Sequence, residues 1–451
     1  MHTNHLSLPI HIAPPEHGIQ PHHVSPAALE VIAQLHSAGF EAYIVGGGVR
    51  DILLGLHPKD FDVATNAHPE EVQKLFKRCM LIGRRFRLAH VHIRHHVIEV
   101  ATFRGNIINP ELDTDSAEPA QEHHTHATTG MVLRDNIYGT FAEDAWRRDF
   151  SINALYYNPK TGEIIDFTNG FADLQHRCLR IIGDPAQRYR EDPVRMLRAL
   201  RFISKLNFNL DPESAQMIPE LAHLLDHIPP ARLFEEFNKL FMNGHALANF
   251  HLFQEYGITS VLLPQITEAL TNEHGKSLHP LELIELALHS TDARVHQQKP
   301  ATPAFLFATL LWPAYCLSAL HHQHHNHQAA YIAGLIAASE VIKKQSQKIS
   351  IPKRLGVFIR EVWHLQPRLV HPRKRQVGKI LRHQRFRAAY DFLLLRAQAG
   401  EPYQNAAKWW TDLQDGNEEE RLHLLANLPR PDKSPIKQQV AKQIQESDDS
   451  V

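Results

Sequence analysis

Asp60 and Asp62, in the run Asp60-Phe61-Asp62-Val63, stand two residues apart in a segment of strand character. A strand repeats its side-chain direction every second residue, so both carboxylates share one face while Phe61 and Val63 turn to the core. Two like charges held that close repel unless a cation lies between them, and paired hard oxygens suit Mg²⁺. A solvated strand face carrying ordinary surface acids is the plainer alternative. A two-metal phosphoryl-transfer site calls for a third carboxylate. The candidates are Glu99, in the run Val97 to Phe103, and Asp149, in Arg147-Arg148-Asp149-Phe150. Glu99 fits a solvent-facing strand position equally well, and Asp149 fits an ion cluster with its neighbouring arginines.

Gly46-Gly47-Gly48 lies between a β run, Glu41 to Val45, and a helix that opens Val49-Arg50-Asp51-Ile52 and ends at Gly55. Glycines there let the backbone approach a ligand, and the helix start offers unpaired N–H groups to a phosphate. The run lacks the spacing of a Walker loop and of the dinucleotide fingerprint, so taken alone it also fits a tight structural turn. In Tyr189-Arg190-Glu191-Asp192-Pro193-Val194-Arg195-Met196-Leu197-Arg198 the spacing predicts Asp192 and Arg195 side by side on a helix face. An acceptor beside a donor matches the base-pairing edge of adenine. Asp192 ahead of Pro193 also suits a helix N-cap with proline at the first helical position.

These groups need a scaffold. Helical spacing at Ala28, Ile32 and Leu35 leads into the β run at 41–45, and strand signals recur at 60–64, 89–93, 97–103, 149–157 and 163–167. Residues 106–130 are polar, acidic and proline-containing, as expected of a mobile insertion. Beyond about Phe171 helical periodicity takes over. The longest apolar run, Ala304 to Leu320, predicts a buried helix pair broken near Pro313 rather than a membrane span. The last ordered helix is expected around Phe386 to Leu394. The expected divisions are a flexible segment 1–23, a mixed α/β part 24–172, helical parts 173–260 and 261–430, and a disordered tail 431–451.

The chain has 451 residues, 43% apolar and 22% charged, enough for more than one buried core. Its three cysteines, Cys79, Cys178 and Cys316, lie too far apart for a disulfide framework and point to a reducing compartment. The N-terminus has no secretory pattern, so a cytoplasmic protein with no integral membrane part is expected. The formal charge is −1, but between Lys343 and Arg396 fifteen Lys or Arg face only Glu361 and Asp391. That density suits a phosphate-backbone partner, with an ordinary solvated face as the alternative. The chain also carries 34 histidines. The run His321-His322-Gln323-His324-His325-Asn326-His327 invites a transition-metal reading, but a polar loop between helices is preferred, because no Cys or carboxylate adjoins it.

Taken together, Gly46-Gly47-x-Val49-Arg50-Asp51, Asp60-x-Asp62, Arg147-Arg148-Asp149-Phe150-Ser151-Ile152-Asn153-Ala154 and Glu191 to Ala199 resemble the class II nucleotidyltransferases. That family holds bacterial poly(A) polymerases and tRNA CCA-adding enzymes. The likeness runs through Ala231-Arg232-Leu233-Phe234-Glu235-Glu236 and covers roughly residues 24–430. Leu81 to Val91 and Arg385 to Arg396 resemble the poly(A) polymerase branch, and the CCA-adding branch is the alternative. Two features depart from the family: an acidic end, Glu446 to Val451, where a basic tail is common, and the length of the 106–130 insertion.

The resemblance implies an α+β chain: a polymerase-beta-like nucleotidyltransferase head with a small mixed sheet over 24–172, an all-α neck over 173–260 that selects nucleotide and binds RNA, and an all-α body and leg over 261–430 that bind RNA. It implies template-independent addition of AMP from ATP to RNA 3′ ends, marking RNA for the decay machinery. Asp60 and Asp62 would hold two Mg²⁺, with Asp149 completing the acidic set. Gly46, Gly47, Arg50 and Arg148 would meet the nucleotide's phosphates and ribose, and Asp192, Arg195 and Arg198 the base. RNA phosphates would follow the basic block, including Arg373, Lys374 and Arg375.

Overall fold

The computed structural model describes residues 8–83, 87–105, 137–272 and 278–429. The expected insertion at 106–130, the tail 431–451 and Arg84 to Phe86 of the branch-marking segment lie outside them. The described chain divides into two compact units, Met1–Leu221 and Ala222–Val451. The division thus falls after Leu221, since the helices Pro185–Glu191 and Val194–Leu206 group with the sheet.

The first unit is built on one mixed eight-stranded sheet: β1 (Ile10–Ile12), β2 (Ala42–Val45), β3 (Asp62–Thr65), β4 (Cys79–Ile82), β5 (Leu88–Ile93), β6 (His96–Thr102), β7 (Leu155–Tyr157) and β8 (Ile164–Asp166), in the spatial order β1-β8-β7-β2-β3-β6-β5-β4. Only β3 and β6 run parallel; the other neighbours are antiparallel. Alternation along the strands separates two cores. Ile44, Val63, Val100, Leu155 and Ile164 turn to one face, where helix Pro26–Ser37 covers them with Ala28, Val31, Ile32 and Leu35. Val45, Ala64, Tyr156 and Ile165 turn to the other, with Phe103 and Phe141.

Residues 8–23 correct the expectation of a flexible segment. Ile10–Ile12 adds an edge strand to β8, and Ile12 and Ile19 are buried, because two apolar side chains find the large core. The helical stretch after Phe171 is interrupted by a parallel pair, Cys178–Leu179 with Asn209–Leu210.

In the second unit every described element is helical. Among the described residues no single helix is long and apolar enough to cross a membrane. Helices Pro303–Leu310 and Trp312–His324 form the expected broken pair, bent by 50°, with Leu306, Phe307 and Leu311 buried. The break falls at Leu311, two residues before Pro313, whose ring sits in the first turn of the second helix where no N–H bond is lost. That helix continues through His324, so His321 and His322 are helical rather than in a loop, and His322 Nε2 lies 2.8 Å from Glu340. Phe386–Gln398 is not the last helix, since Gln404–Asp415 and Glu418–Ala426 follow, anchored by buried Trp409 and Trp410.

Candidate active site

Strand register builds the site. Tyr156, Val45, Asp62 and Glu99 are mutual partners across β7, β2, β3 and β6, so one row of side chains crosses the sheet on the same face. Its first half is core; its second half is acid. Asp62 opens β3, and Asp60 lies just before the strand, while Phe61 and Val63 are buried as the alternation requires. Asp62 meets solvent, with protein packed around its carboxyl. Burial, then the charge of Glu99, pushes its carboxyl up to about 6; Arg148 opposes this and Asp60 adds to it. His90 Nε2 lies 3.2 Å from Glu99 and Arg148 acts on Asp62, but three carboxyls still outnumber these groups, an excess that a divalent ion would relieve. Among the described residues no group of three or more His, Cys, Asp or Glu is arranged to hold a metal by itself. The hard carboxylate oxygens and the uncompensated charge nonetheless fit Mg²⁺ with further ligands from water and substrate phosphate.

Beside this row β2 ends in Gly46, whose φ of +74° and ψ of −132° start helix Gly47–Leu53. At that φ a side chain would be strained, and a Cβ there would lie in ordinary contact with Arg148 Nη1 at 3.7 Å and Asp62 Oδ2 at 4.0 Å, which places Gly46 against both groups. Arg148 is held by Asp144 and Tyr156: its Nε donates to the Tyr156 hydroxyl at 2.8 Å, its Nη2 to Asp144 Oδ2 at 2.9 Å, and the Tyr156 hydroxyl donates to the same oxygen at 2.6 Å. Burial works against the Arg148 charge, but these partners raise its pKa and keep it a cation.

Arg50 is buried and engaged, donating to Asp51 Oδ1 and, at 2.7 Å, to Asn153 Oδ1. Asn153 Nδ2 donates onward to Asp149 Oδ1 at 3.1 Å, and Arg198 Nε to Asp149 Oδ2 at 2.8 Å. Burial disfavours the Asp149 anion, yet Arg198 and these hydrogen bonds hold its carboxyl down at about 2. The network ties helix Gly47–Leu53, the turn at Ser151–Asn153 and helix Val194–Leu206 together. Asp149 is therefore a neutralised acid, and Glu99 is the third carboxylate that the structure brings to Asp62.

Asp192 and Arg195 are not neighbours on a helix face. Pro193 is the N-cap of helix Val194–Leu206, one residue later than the expected cap at Asp192, and Asp192 ahead of it is extended at φ −148°, with Oδ1 accepting from Val194 N at 3.3 Å. The two residues share a turn closed by Arg195 N donating to Asp192 O at 3.0 Å, while Arg195 Nη1 reaches Glu191 and the Arg188 carbonyl. Sequence reasoning gave no role to Arg104, Arg147 or Arg188. Burial, then the like charges of Arg104, Arg188, Arg195 and Arg148, pushes the Arg147 guanidinium down to about 9, marking a local excess of positive charge suited to an anion. The paired arginines before Asp149 were the available signal; Arg104, forty-odd residues earlier in the chain, gave none.

The chain matches the "Poly A polymerase head domain" over residues 42–180, the "Probable RNA and SrmB- binding site of polymerase A" over 207–270 and the "Polymerase A arginine-rich C-terminus" over 325–444. It is 44% identical over 415 residues to poly(A) polymerase I of Salmonella typhi, covering 92% of this chain and 87% of that protein. A CCA-adding enzyme of Lactobacillus helveticus is 39% identical over 226 residues, covering 50% of this chain and 52% of that one. Among solved structures, the CCA-adding enzyme of Bacillus stearothermophilus in complex with CTP shares the fold at a TM-score of 0.56 and 23% identity, over 92% of this chain and 91% of that one. The chain belongs to the bacterial poly(A) polymerase I family.

Proposed function

We propose that this protein is a polynucleotide adenylyltransferase that adds AMP from ATP to RNA 3′ ends without a template, releasing pyrophosphate. The observation that carries the reading is the extent of the likeness: identity to a poly(A) polymerase runs through both units and the arginine-rich C-terminal region, whereas identity to a CCA-adding enzyme covers half of the chain.

Asp60 and Asp62 would hold two Mg²⁺, with Glu99 as the third acid in place of Asp149; bound there, the ions supply neutralisation of charge at the reacting oxygens. The backbone at Gly46 and Gly47 admits the triphosphate, and Arg148, already oriented by Asp144 and Tyr156, donates to it with Arg147 beside it. The primer 3′-hydroxyl attacks the α-phosphorus in line, and the pyrophosphate leaves against the arginines. Positioning and charge do most of the work, since no covalent intermediate with the protein is needed. Arg50 and Arg198 act indirectly, by holding Asn153 and Asp149. Asp192 and Arg195 read the adenine edge, which requires Arg195 to turn from Glu191 to the base. The second unit holds RNA, the tails mark RNA for the decay machinery, and the enzyme works in the cytoplasm.

Extension of an unstructured RNA primer with Mg²⁺ and each nucleotide separately, beside a tRNA lacking its CCA end, tests this. Long ladders with ATP alone are expected. Addition of only C, C and A to the tRNA would move the protein to the CCA-adding branch.

A further inference from the structure

Helix Lys353–Val370 buries one face, with Ile359, Val362, Trp363 and Leu369, and turns Val357, Arg360, His364 and Arg368 the other way at spacings of three, four and four. Helix Ala330–Lys348 lies beside it. A side chain at Gly356 would meet Ile342, and the Tyr331 and His364 rings are 6.3 Å apart, so the two helices run in opposite directions. Tyr331 is 64% exposed, with Ile332 beside it also exposed. His364 Nε2 is shut from solvent and has no hydrogen-bond partner among the described residues. Burial, then the charges of Arg368 and Arg360, lowers the His364 pKa, so the ring is neutral at pH 7. Neither of those arginines has a carboxylate partner among the described residues. The one acid of the helix, Glu361, is taken by Arg385 at 2.9 Å.

We propose that Tyr331 is a stacking platform for one base of single-stranded RNA, with Arg360 and Arg368 binding the phosphates that flank it and the His364 ring backing the Tyr331 ring from the protein side. An exposed aromatic ring set in an uncompensated basic strip is the combination by which proteins hold single strands without regard to sequence, as a tail-adding enzyme must hold its own growing product. The two arginines are eight residues apart, about 12 Å along the helix, which leaves room for a nucleotide between their phosphates. An acidic protein would suit the charge but gives no reason for the exposed ring.

The proposal rests on the polyadenylation reading only for the identity of the polymer, and binding tests it apart from turnover. With the full-length protein and a fluorescein-labelled oligo(A), Tyr331→Ala weakens binding about 5- to 50-fold and Tyr331→Phe restores it to within about twofold, because stacking needs the ring and not the hydroxyl. Arg360→Gln with Arg368→Gln flattens the slope of log affinity against log salt by about 1.4, from two lost phosphate contacts. A 2-aminopurine walked along the oligomer finds a position quenched by the wild type and not by Tyr331→Ala. In extension assays Tyr331→Ala raises KM for primer and leaves KM for ATP and kcat unchanged. Wild-type affinity and quenching in Tyr331→Ala would overturn the stacking site. A wild type that binds RNA but extends nothing with ATP would instead sink the polyadenylation reading and leave the stacking site to the binding data.

Discussion

Asp62 in the head and Glu401 in the helical unit are both carboxylates packed among protein atoms, and their surroundings differ in one respect. Glu401 is fully buried but receives two hydrogen bonds from the equally buried Arg396, at 2.9 Å and 2.6 Å, and Arg396 also lies 4.4 Å from the Trp312 ring centroid. Asp62 meets solvent, yet its nearest charges include Glu99 and Asp60. The first arrangement is closed and complete. The second sets like charges side by side, opposed only in part by Arg148, so charge left over, rather than charge buried, marks the candidate site. Asp149 lies between the extremes, an acid inside the active-site network that Arg198 has already neutralised.

Substitutions can break this contrast. Asp62→Ala is expected to cut AMP incorporation by about 10²–10³-fold or more, as loss of a group that stabilises reaction charge does, while the thermal midpoint holds or rises because a repulsion is removed. A clear fall in midpoint would make Asp62 a structural residue. Glu401→Gln leaves Arg396 buried without its counter-charge and should cost about 3–5 kcal/mol in the urea transition of the helical unit, with KM for ATP unchanged. If its stability matched the wild type, the pair would not be the closed arrangement described.

Asp149→Asn sharpens the intermediate case. The native carboxyl sits at about 2 against an ordinary value of 3.8, so its stabilisation is fully present above pH 4 and is lost as pH falls from about 4 to 2. The Asn variant should be less stable at pH 7 and lose less stability over that acid range, as followed by circular dichroism. Parallel acid profiles would remove Asp149 from the network. The smallest effect is expected of Arg373→Gln with Lys374→Gln and Arg375→Gln, all exposed at the start of helix Lys374–Leu381. Stability and kcat should hold, while the salt slope of RNA binding falls by about 2.

Much of the site was legible before any fold was known. The two-residue period of Asp60 and Asp62, the glycines after a β run and the Asp192-Pro193 helix start follow from local geometry, and local geometry is encoded by neighbours in the chain. The basic block was legible only as a count. Arg396 belonged to that count but is buried against Glu401, Arg385 pairs with Glu361 and Arg387 with Asp391, so the strip open to phosphate narrows toward residues 353–382.

The sequence by itself determined the residue types of the nucleotidyl-transfer motifs, their order and the change from mixed sheet to helices, because each depends on spacings of a few residues. Only the tertiary structure decided that Glu99 stands beside Asp62 while Asp149 pairs with Arg198, that Arg50 and Arg198 are held within the protein, and that Tyr331 stands beside His364. Those outcomes rest on the parallel pairing of β3 with β6 across an intervening hairpin, on an ion pair 49 residues apart in the chain and on the packing of two helices. No local spacing states which distant partner will neutralise a charge; that is settled only when the chain closes on itself.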